Sequence, residues 1–327
     1  MAMNKKKAVI AIGGNSLIKD KNHQTVPDQY AALAETCKHI ADMITEGYDV
    51  VITSGNGPQV GFILRRSELS RHELHEVPLD YCGADSEGAI GYMVEQALYN
   101  EFYNRRIDKD VVSVVTQVRV SADDPAMKNP DKPIGSFMDE KEAKKKAESE
   151  AWVVREDSGR GWRRVVPSPK PIEIVELPAI KALINAGFVV YAVGGGGIPV
   201  VADKNGHLNG VAAVIDKDRA SSLLATGIGA DTLVISTAVE KVYLNFGTDK
   251  QKAIDKMDHI EAQKYIGEGH FKPGSMLPKI ESCVEFIKNG GKVAIITNPE
   301  NITRAVKGET GTRIVEGWRA PPPPPRR

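Results

Sequence analysis

Residues Ala8–Ser16 read AVIAIGGNS, a short apolar run that ends in two glycines and an asparagine. The same arrangement returns in Asp49–Gln59 (DVVITSGNGPQ) and in Phe188–Gly197 (FVVYAVGGGG). Apolar, β-branched runs of this length are typical of strands that are buried on both faces. Glycines directly after a strand let backbone N–H groups approach an anion, and the N-terminus of a following helix favours negative charge. One such loop would indicate a tight turn, but three together predict a phosphate-binding site.

The rest of the chain continues the alternation of apolar runs and amphipathic stretches. Strands are predicted at Ala8–Ile12, Asp49–Thr53, Val111–Thr116, Phe188–Val193, Thr232–Ser236 and Lys292–Thr297. Helices are predicted at Tyr30–Glu46, Ala84–Tyr103, Leu177–Ala186, Ala220–Gly227 and Lys279–Asn289. Gly47, Gly187 and Gly290 follow three of these helices, where a C-terminal glycine is expected. The alternation predicts an α/β fold with a mostly parallel sheet and helices on both faces.

Two regions interrupt the alternation. Residues 119–172 are rich in Pro, Asp, Lys and Arg, and we interpret them as an inserted subdomain or lid. Within them, the charge run Lys141–Lys146 indicates a solvated helix face. Residues 318–327 read WRAPPPPPRR and are predicted to be a disordered tail or an added remnant outside the fold.

Length and charge restrict the class of protein. At roughly 150 residues per domain, 327 residues correspond to about two domains or one large α/β unit. Lys and Arg together number 43, as do Asp and Glu, and three of the arginines lie in the tail. The rest of the chain therefore has an acidic excess of three, which disfavours a nucleic-acid-binding protein.

Hydropathy and cysteine usage indicate where the protein acts. No run of 18 apolar residues occurs, so no membrane span and no membrane partner are predicted. The three cysteines (Cys37, Cys82 and Cys283) are widely spaced and form no C-x-x-C pair. Reduced thiols in a cytoplasmic protein are the simplest interpretation.

Two common phosphate-binding motifs are absent from the sequence. Nothing matches the Walker A pattern G-x-x-x-x-G-K-[ST]. Gly55, Gly57 and Gly61 come close to the dinucleotide motif G-x-G-x-x-G, but the spacing is one residue too long. No acidic residue ends a second strand about 20 residues later, so a dinucleotide oxidoreductase is disfavoured.

Three lysines lie in constrained contexts that suit phosphoryl transfer, a reaction that depends on positioned positive charge. Lys132 is flanked by prolines in NPDKPIG, and Lys217 lies between two carboxylates in AVIDKD. Lys279 follows GSMLP and is expected to begin a helix. A lone lysine is usually a solvated surface charge, whereas these contexts make all three candidates for a catalytic role.

The sequence closely resembles the carbamate kinases of the amino acid kinase family. The matching segments keep the order found in that family over residues 7–315. They are AIGGNS (Ala11–Ser16), TSGNGPQVG (Thr53–Gly61), NPDKPIG (Asn129–Gly135), EDSGRGWRRVVPSPKP (Glu156–Pro171), GGGGIPV (Gly194–Val200), AVIDKD (Ala213–Asp218) and GHFKPGSMLPK (Gly269–Lys279). The EDSGRGWR and GSMLPK segments are far more specific than any glycine loop.

The resemblance implies a three-layer αβα sandwich, a small protruding subdomain that carries Lys132, and a homodimer. It divides residues 1–317 into an acceptor and phosphoryl-binding part (about 1–210) and a nucleotide-binding part (about 211–317). The implied reaction is reversible transfer between ATP and carbamate, giving ADP and carbamoyl phosphate, with ATP synthesis in arginine catabolism as the useful direction. Mg²⁺ is expected to bind largely through nucleotide phosphates and water, with no dedicated metal ligand from the protein.

The resemblance also assigns roles to individual residues. Lys132, Lys217 and Lys279 would neutralise phosphate oxygens, and Asp216 would orient the lysines by accepting hydrogen bonds from two ammonium groups. The phosphoryl group and acceptor would be bound by Gly13, Gly14, Asn15, Ser54, Gly55, Asn56 and Gly57. The nucleotide would be bound by Lys217, Lys279, Gly274, Ser275 and Met276. Carbamate already has an oxygen nucleophile, so no catalytic base is expected.

The sequence departs from the family pattern at four positions. In Cys82–Tyr92 (CGADSEGAIGY), Asp85 replaces an apolar residue and Glu87 replaces an amide. Both changes add negative charge, which would weaken binding of an anionic acceptor if these side chains face the site. Ser158 stands where the family has Ala, and Glu240 stands where it has Asp.

Three alternative functions stay open on the sequence alone. A kinase of the same fold could act on another acid, such as acetylglutamate or glutamate, although the EDSGRGWR segment argues against it. A weakly catalytic nucleotide sensor is disfavoured by the intact lysines. Nucleic-acid binding through Arg155–Arg164 is disfavoured by the balanced charge.

Overall fold

A computed structural model of the chain describes residues 6–20, 22–157, 159 and 161–317, with only the backbone of Asn15. Ser158 and the tail predicted at 318–327 lie outside these residues. The strands of the described part are β1 (Lys7–Ile12), β2 (Asp49–Ser54), β3 (Val111–Val114), β4 (Gln117–Val120), β5 (Lys132–Met138), β6 (Val154–Glu156), β7 (Trp162–Val166), β8 (Pro171–Ile174), β9 (Val189–Ala192), β10 (Ile198–Ala202), β11 (Leu208–Gly210), β12 (Thr232–Ser236), β13 (Val242–Leu244), β14 (Lys252–Ile254), β15 (Lys256–Asp258), β16 (Val293–Thr297) and β17 (Thr312–Val315).

The helices lie mostly between these strands. They are α1 (Val26–Thr45), α2 (Gly57–Ser70), α3 (Leu79–Arg105), α4 (Pro125–Lys128), α5 (Glu140–Glu150), α6 (Leu177–Asn185), α7 (Lys217–Ile228), α8 (His259–Gly267), α9 (Met276–Lys288) and α10 (Ile302–Lys307). Short 3₁₀ turns follow β1, β9 and β16, at Gly14–Ser16, Gly194–Gly196 and Pro299–Asn301. No described helix is long and apolar enough to cross a membrane.

The central sheet confirms the predicted, mostly parallel architecture. Its strands run in the order β15-β17-β16-β12-β1-β2-β9-β3 in the described part of the chain. Neighbouring strands pair in parallel except β16 and β17, which are antiparallel. All six strands predicted from the sequence belong to this sheet, with bounds that differ by at most two residues at either end.

Helices cover both faces of the sheet because its side chains alternate between two cores. Val9 and Ala11 point into a core with residues of α6, α7 and α9. Ala8 and Ile10 point into the opposite core, with residues of α1, α3 and α10. The structure is thus the expected three-layer αβα sandwich.

Local signals set the helix ends. Thr25 and Asp28 form a reciprocal capping box at the start of α1. Gly47, Gly187 and Gly290 follow α1, α6 and α9 with φ values of 89°, 97° and 97°, a backbone conformation that favours glycine.

The interruption at 119–172 contains more regular structure than its composition indicated. Its two ends, β4 and β8, join β10 and β11 in a second sheet of order β11-β10-β4-β8. Between them, β5, β7 and β6 form a smaller sheet that α5 contacts. Within Lys141–Lys146, the charged side chains are exposed as predicted except for Lys146, whose ammonium group lies 4.1 Å from the centre of the Trp152 ring, and Ala143 is buried.

Candidate active site

The three glycine loops meet at one edge of the central sheet. They follow β1, β2 and β9, which are neighbours in the sheet and run parallel, so their carboxyl ends lie side by side. Gly13 packs so closely on the end of β12 that a Cβ there would lie 2.6 Å from the carbonyl oxygen of Ser236. This edge is where ligands bind in open α/β sheets.

The loop after β2 contacts the other two predicted parts of the site. A Cβ on Gly55 would lie 3.3 Å from Cδ of Lys217, so that lysine extends across the glycine. Asn56 lies against the loop after β9, since a Cβ on Gly195 would come within 2.0 Å of its Nδ2. Gly57 begins α2, a helix that the sequence pattern did not predict. Backbone N–H groups at this helix N-terminus suit an anion.

Lys132 reaches the same region from the protruding three-stranded sheet. Its ammonium group lies 3.0 Å from the carboxylate of Asp216. Asp216 also caps α7, because its other oxygen accepts hydrogen bonds from the backbone N–H groups of Asp218 (3.0 Å) and Arg219 (3.3 Å). Close packing of Gly61 of α2 on Gly135 of β5, at 3.3 Å for a Cβ placed on Gly61, holds the subdomain against α2.

A second carboxylate, Asp218, joins the other two lysines. Its Oδ1 lies 2.7 Å from Nζ of Lys217 and its Oδ2 lies 2.8 Å from Nζ of Lys279. The expectation that Asp216 orients a pair of lysines is therefore wrong: Asp216 binds Lys132, and Asp218 is the shared acceptor. The reason is that Asp216 stands at the helix N-cap, whereas Asp218 lies in the first turn, on the side that faces α9.

Burial and pairing determine the charges of this group. Burial lowers the pKa of Lys217, and the ion pair with Asp218 only partly opposes it. Burial would raise the pKa of Asp218, but the two ammonium groups outweigh it and hold that pKa well below its usual range. For Lys279, burial lowers the pKa and the attraction of Asp218 more than restores it. Asp218 thus opposes the loss of charge that burial would impose on two closely spaced lysines.

The predicted nucleotide residues lie at the start of α9. Gly274 has a φ of 69° and precedes Ser275, the residue at the N-cap. Met276 begins the helix and Lys279 lies in its first turn. Lys279 was expected to begin the helix, which in fact starts three residues earlier. Glu240 accepts a hydrogen bond from the hydroxyl of Thr310.

Beneath the acceptor loops, polar side chains bind one another. The hydroxyl groups of Ser54 and Tyr191 lie 2.7 Å apart, and Nδ2 of Asn56 donates to Ser86 at 2.8 Å. Ser54 was expected to line the acceptor side, but its hydroxyl group is fully buried in this network. Glu87 is buried as well, whereas Asp85 is exposed.

Among the described residues, neither a metal-ligand cluster nor an accessible thiol adds to the site. In the ranges that the structure describes, no three His, Cys, Asp or Glu side chains are grouped so as to hold a metal ion. Cys82 is buried, and burial raises the pKa of its thiol to about 11, so it is not a nucleophile at neutral pH.

Comparison with known proteins identifies relatives over almost the whole chain. Residues 6–298 match the family described as the amino acid kinase family. A carbamate kinase from Pyrococcus horikoshii is 49% identical over 94% of this chain and 98% of its own length. The carbamate kinase-like protein YahI from Escherichia coli is 49% identical over 95% of this chain and 99% of its own.

The fold is likewise shared with a solved structure. A carbamate kinase from Giardia lamblia, bound to AMP-PNP, superposes with a TM-score of 0.90 at 40% identity. The match covers 96% of this chain and 99% of the other.

Proposed function

Because this chain belongs to the amino acid kinase family, we propose that it is a carbamate kinase, which moves a phosphoryl group reversibly between ATP and carbamate. The products of the forward direction are ADP and carbamoyl phosphate. The observation that carries this proposal is the buried Asp218 with its two lysines beside the glycine loops. Such a group can neutralise charge on a phosphoryl group without a covalent intermediate.

The acceptor needs little chemical activation. Carbamate carries a negatively charged oxygen at neutral pH, so the protein has only to place that oxygen in line with the phosphoryl group. We propose that the backbone N–H groups of Gly13, Gly14 and Gly55, with the amide of Asn15, bind the transferring group. Asn56 and Gly57 would lie on the acceptor side, together with the backbone of Ser54.

The lysines then stabilise the charge that spreads over the phosphoryl oxygens. Lys217 extends across Gly55 and so faces the phosphoryl position, and Lys279 lies beside the proposed nucleotide residues. Lys132 would close the site from the protruding subdomain, where Asp216 holds its ammonium group. Fixed charges in a site shielded from water are worth more than mobile ones in solution.

Mg²⁺ is proposed to enter with the nucleotide. Asp216 and Asp218 both bind lysines, and the residues that the structure describes offer the ion no cluster of carboxylates. A Mg²⁺ ion that is bound mainly by phosphate oxygens and water needs no such set. The ion would neutralise charge on the nucleotide phosphates.

We propose that two parts of the chain bind the two substrates, with the bounds that the resemblance implied. Residues 1–210 would bind the acceptor and phosphoryl group, and residues 211–317 would bind the nucleotide. In arginine catabolism the reaction would run toward ATP synthesis from carbamoyl phosphate. The protein would act in the cytoplasm. Three buried, free cysteines are compatible with a reducing compartment.

We further propose that two copies associate through α3 and β3. Tyr92, Tyr99 and Tyr103 share one side of α3 and are 63%, 64% and 76% exposed. Among the described residues, the neighbouring strand β3 is the end strand of the central sheet, and its outer backbone groups have no partner strand there. An exposed aromatic stripe beside an open sheet edge suits a second copy of the same surface, related by two-fold symmetry.

One assay tests the proposed reaction. Purified protein mixed with ADP, Mg²⁺ and carbamoyl phosphate should produce ATP, and Lys217→Ala should lower kcat by roughly 10²–10³-fold. Lys292→Ala removes an exposed lysine that pairs with Asp231 and is a matched control with unchanged activity. No ATP from a protein that still binds ADP would contradict the proposal. ATP consumption with glutamate or acetylglutamate in place of carbamate would assign another acceptor.

A further inference from the structure

Glu87 is a buried carboxylate below the acceptor loops, and both of its oxygens accept hydrogen bonds from backbone N–H groups. Oε1 lies 2.7 Å from the nitrogen of Gly194, and Oε2 lies 3.0 Å from the nitrogen of Thr116. The residue is 1% exposed, and its helix, α3, carries it to the carboxyl ends of β3 and β9. The charge of the Glu87 carboxylate is thus bound by backbone N–H groups inside the protein and does not face the acceptor.

The segment that Glu87 binds has an unusual backbone. Val193 has a φ of 55°, a left-handed conformation that a β-branched residue rarely adopts. Its N–H group donates to the hydroxyl oxygen of Thr116 at 3.0 Å. Glu87 therefore holds this turn at two points, directly through Gly194 and indirectly through Thr116. A strained turn persists only where its surroundings fix it.

The same turn supports the acceptor side of the site. A Cβ on Gly194 would lie 2.8 Å from Cγ of Glu87, and a Cβ on Gly195 would meet the amide of Asn56. Movement of the turn would therefore displace Asn56. Lys217 and Lys279, on the nucleotide side, are bound by Asp218, whereas the carboxylate of Glu87 binds Gly194 and Thr116.

We propose that Glu87 is a positioning residue that fixes the Val193–Gly197 turn and thereby sets the affinity for the acceptor, carbamate or carbamoyl phosphate. This inference rests on the proposed function. Glu87 touches no reacting atom. By fixing the turn it lowers KM for the acceptor and has little effect on KM for the nucleotide.

The ionisation of Glu87 gives the proposal a pH signature. Burial raises the pKa of Glu87 to about 7, against the two backbone N–H groups that favour the charged form. Nearby Glu176 raises this pKa further, and the phenol of Tyr191 lies beside the carboxylate and stays neutral. A protonated carboxyl has an O–H where one N–H group needs an acceptor, so one of the two hydrogen bonds is lost. Acceptor affinity should fall as the pH drops through about 7.

Glu87→Gln tests the inference because it keeps the shape of the side chain but leaves only one accepting oxygen. We expect KM for carbamoyl phosphate to rise about tenfold at pH 8, with KM for ADP and kcat within twofold of the wild type. Below pH 6 the wild-type and variant KM values should converge, since protonated Glu87 resembles glutamine. Glu95→Gln is the matched control: Glu95 lies on the same helix and accepts from the N–H group of Ser113 at 2.6 Å, away from the turn. Its KM values should stay unchanged.

Other outcomes overturn the proposal in distinguishable ways. An active wild type with unchanged KM for carbamoyl phosphate in Glu87→Gln refutes the positioning role. An equal rise of both KM values, or the same rise in Glu95→Gln, indicates a structural role only and also refutes it. If Glu87→Gln fails to fold, Glu87→Asp is measured instead: its shorter carboxylate cannot reach both N–H groups, and KM for carbamoyl phosphate alone should rise. A wild type that makes no ATP contradicts the proposed function and not the role of Glu87. In that case the binding of carbamoyl phosphate to wild type and variant, both still able to bind ADP, is compared, and equal affinities refute the positioning role.

Discussion

Asp218 sets how much positive charge the site can keep at neutral pH. Its carboxylate lies between two ammonium groups, and the three side chains are nearly buried. Removal of the carboxylate charge would leave two cations side by side in a poorly solvated place, where the charged forms are unfavourable. Lys217, whose pKa burial already lowers, would be the first to lose its proton.

Asp218→Asn should therefore make catalysis depend on pH. The variant leaves Lys217 without its counterion, so the pKa of Lys217 falls further and the charged form is lost as the pH rises. We expect the ratio of the variant's kcat to the wild-type kcat to decrease as the pH rises, because a neutral lysine no longer stabilises the phosphoryl oxygens. Asp216→Asn, which removes the partner of Lys132 instead, should lower kcat with a weaker pH dependence, because Asp216 raises the pKa of Lys217 less than Asp218 does. A parallel pH profile for Asp218→Asn and the wild type would show that Asp218 does not maintain the charge.

Sequence context predicted the lysines of the site but not the way they are paired. Prolines around Lys132 and carboxylates around Lys217 marked both as constrained residues. The pair between Asp218 and Lys279 joins positions 61 residues apart and exists because α7 packs on α9. The sequence places an Asp on each side of Lys217, and only the packing of the helices shows which of the two reaches Lys279.

At the scale of elements, the glycine turn after β9 packs on the segment that begins α7. Gly196 has a φ of 99°, and a Cβ there would lie 2.5 Å from the carbonyl oxygen of Ile215. The next residues, Asp216 and Lys217, belong to the site. The turn and the start of α7 therefore have to lie in one fixed arrangement, and only glycine permits the contact.

Gly196→Ala should lower activity by displacing the start of α7. We expect kcat to fall at least tenfold, since small displacements of positioned groups are costly in catalysis. Gly206→Ala is the matched control, because Gly206 also has a positive φ (83°) but has open space around its Cβ position. Both variants should lose roughly 1–2 kcal/mol of stability from the left-handed backbone, and Gly196→Ala should lose more because its Cβ also meets the Ile215 carbonyl, as measured by urea unfolding. Equal kcat values in the two variants would mean that the contact with Ile215 has no role in catalysis.

Six of the eight strands described in the central sheet were predictable because they are apolar on both faces and end near glycine or polar residues, whereas β15 (KMD) and β17 (TRIV) contain charged residues and were missed. Thr232–Ser236 has the predicted bounds, but the strand predicted to end at Thr116 stops at Val114. The reason is tertiary: the N–H group of Thr116 binds Glu87 and its hydroxyl binds Val193. Helix α2 was missed since it begins with Gly57 and Pro58, residues that locally indicate a turn, although proline is well tolerated in the first turn of a helix.

At the scale of the whole molecule, charge and surface composition point to two different kinds of contact. The chain carries equal numbers of basic and acidic residues, so binding of anionic substrates depends on the local concentration of Lys132, Lys217 and Lys279. The aromatic residues exposed on α3 lie elsewhere, beside the β3 edge. Tyr99 and Tyr103 follow Glu87 by 12 and 16 residues, which places them roughly 18–24 Å along the helix from the acceptor side.

The proposed homodimer can therefore be separated from catalysis. Tyr99→Asp combined with Tyr103→Asp would bury two carboxylates in the proposed interface, where the loss of hydration is costly. We expect the wild type to show twice the chain mass by light scattering at micromolar concentration and the double variant to show the mass of one chain, with kcat within twofold. Phe246→Asp is the control, because Phe246 is 63% exposed on the segment after β13, away from α3, and its replacement should leave the mass at that of two chains.

A wild type with the mass of one chain would refute the dimer, and a double variant that keeps the mass of two chains would place the interface on another surface. Because the proposed active site lies at the carboxyl edge of the sheet and the tyrosines flank the β3 end of the sheet, loss of the dimer with retained kcat would mean that each copy holds a complete site.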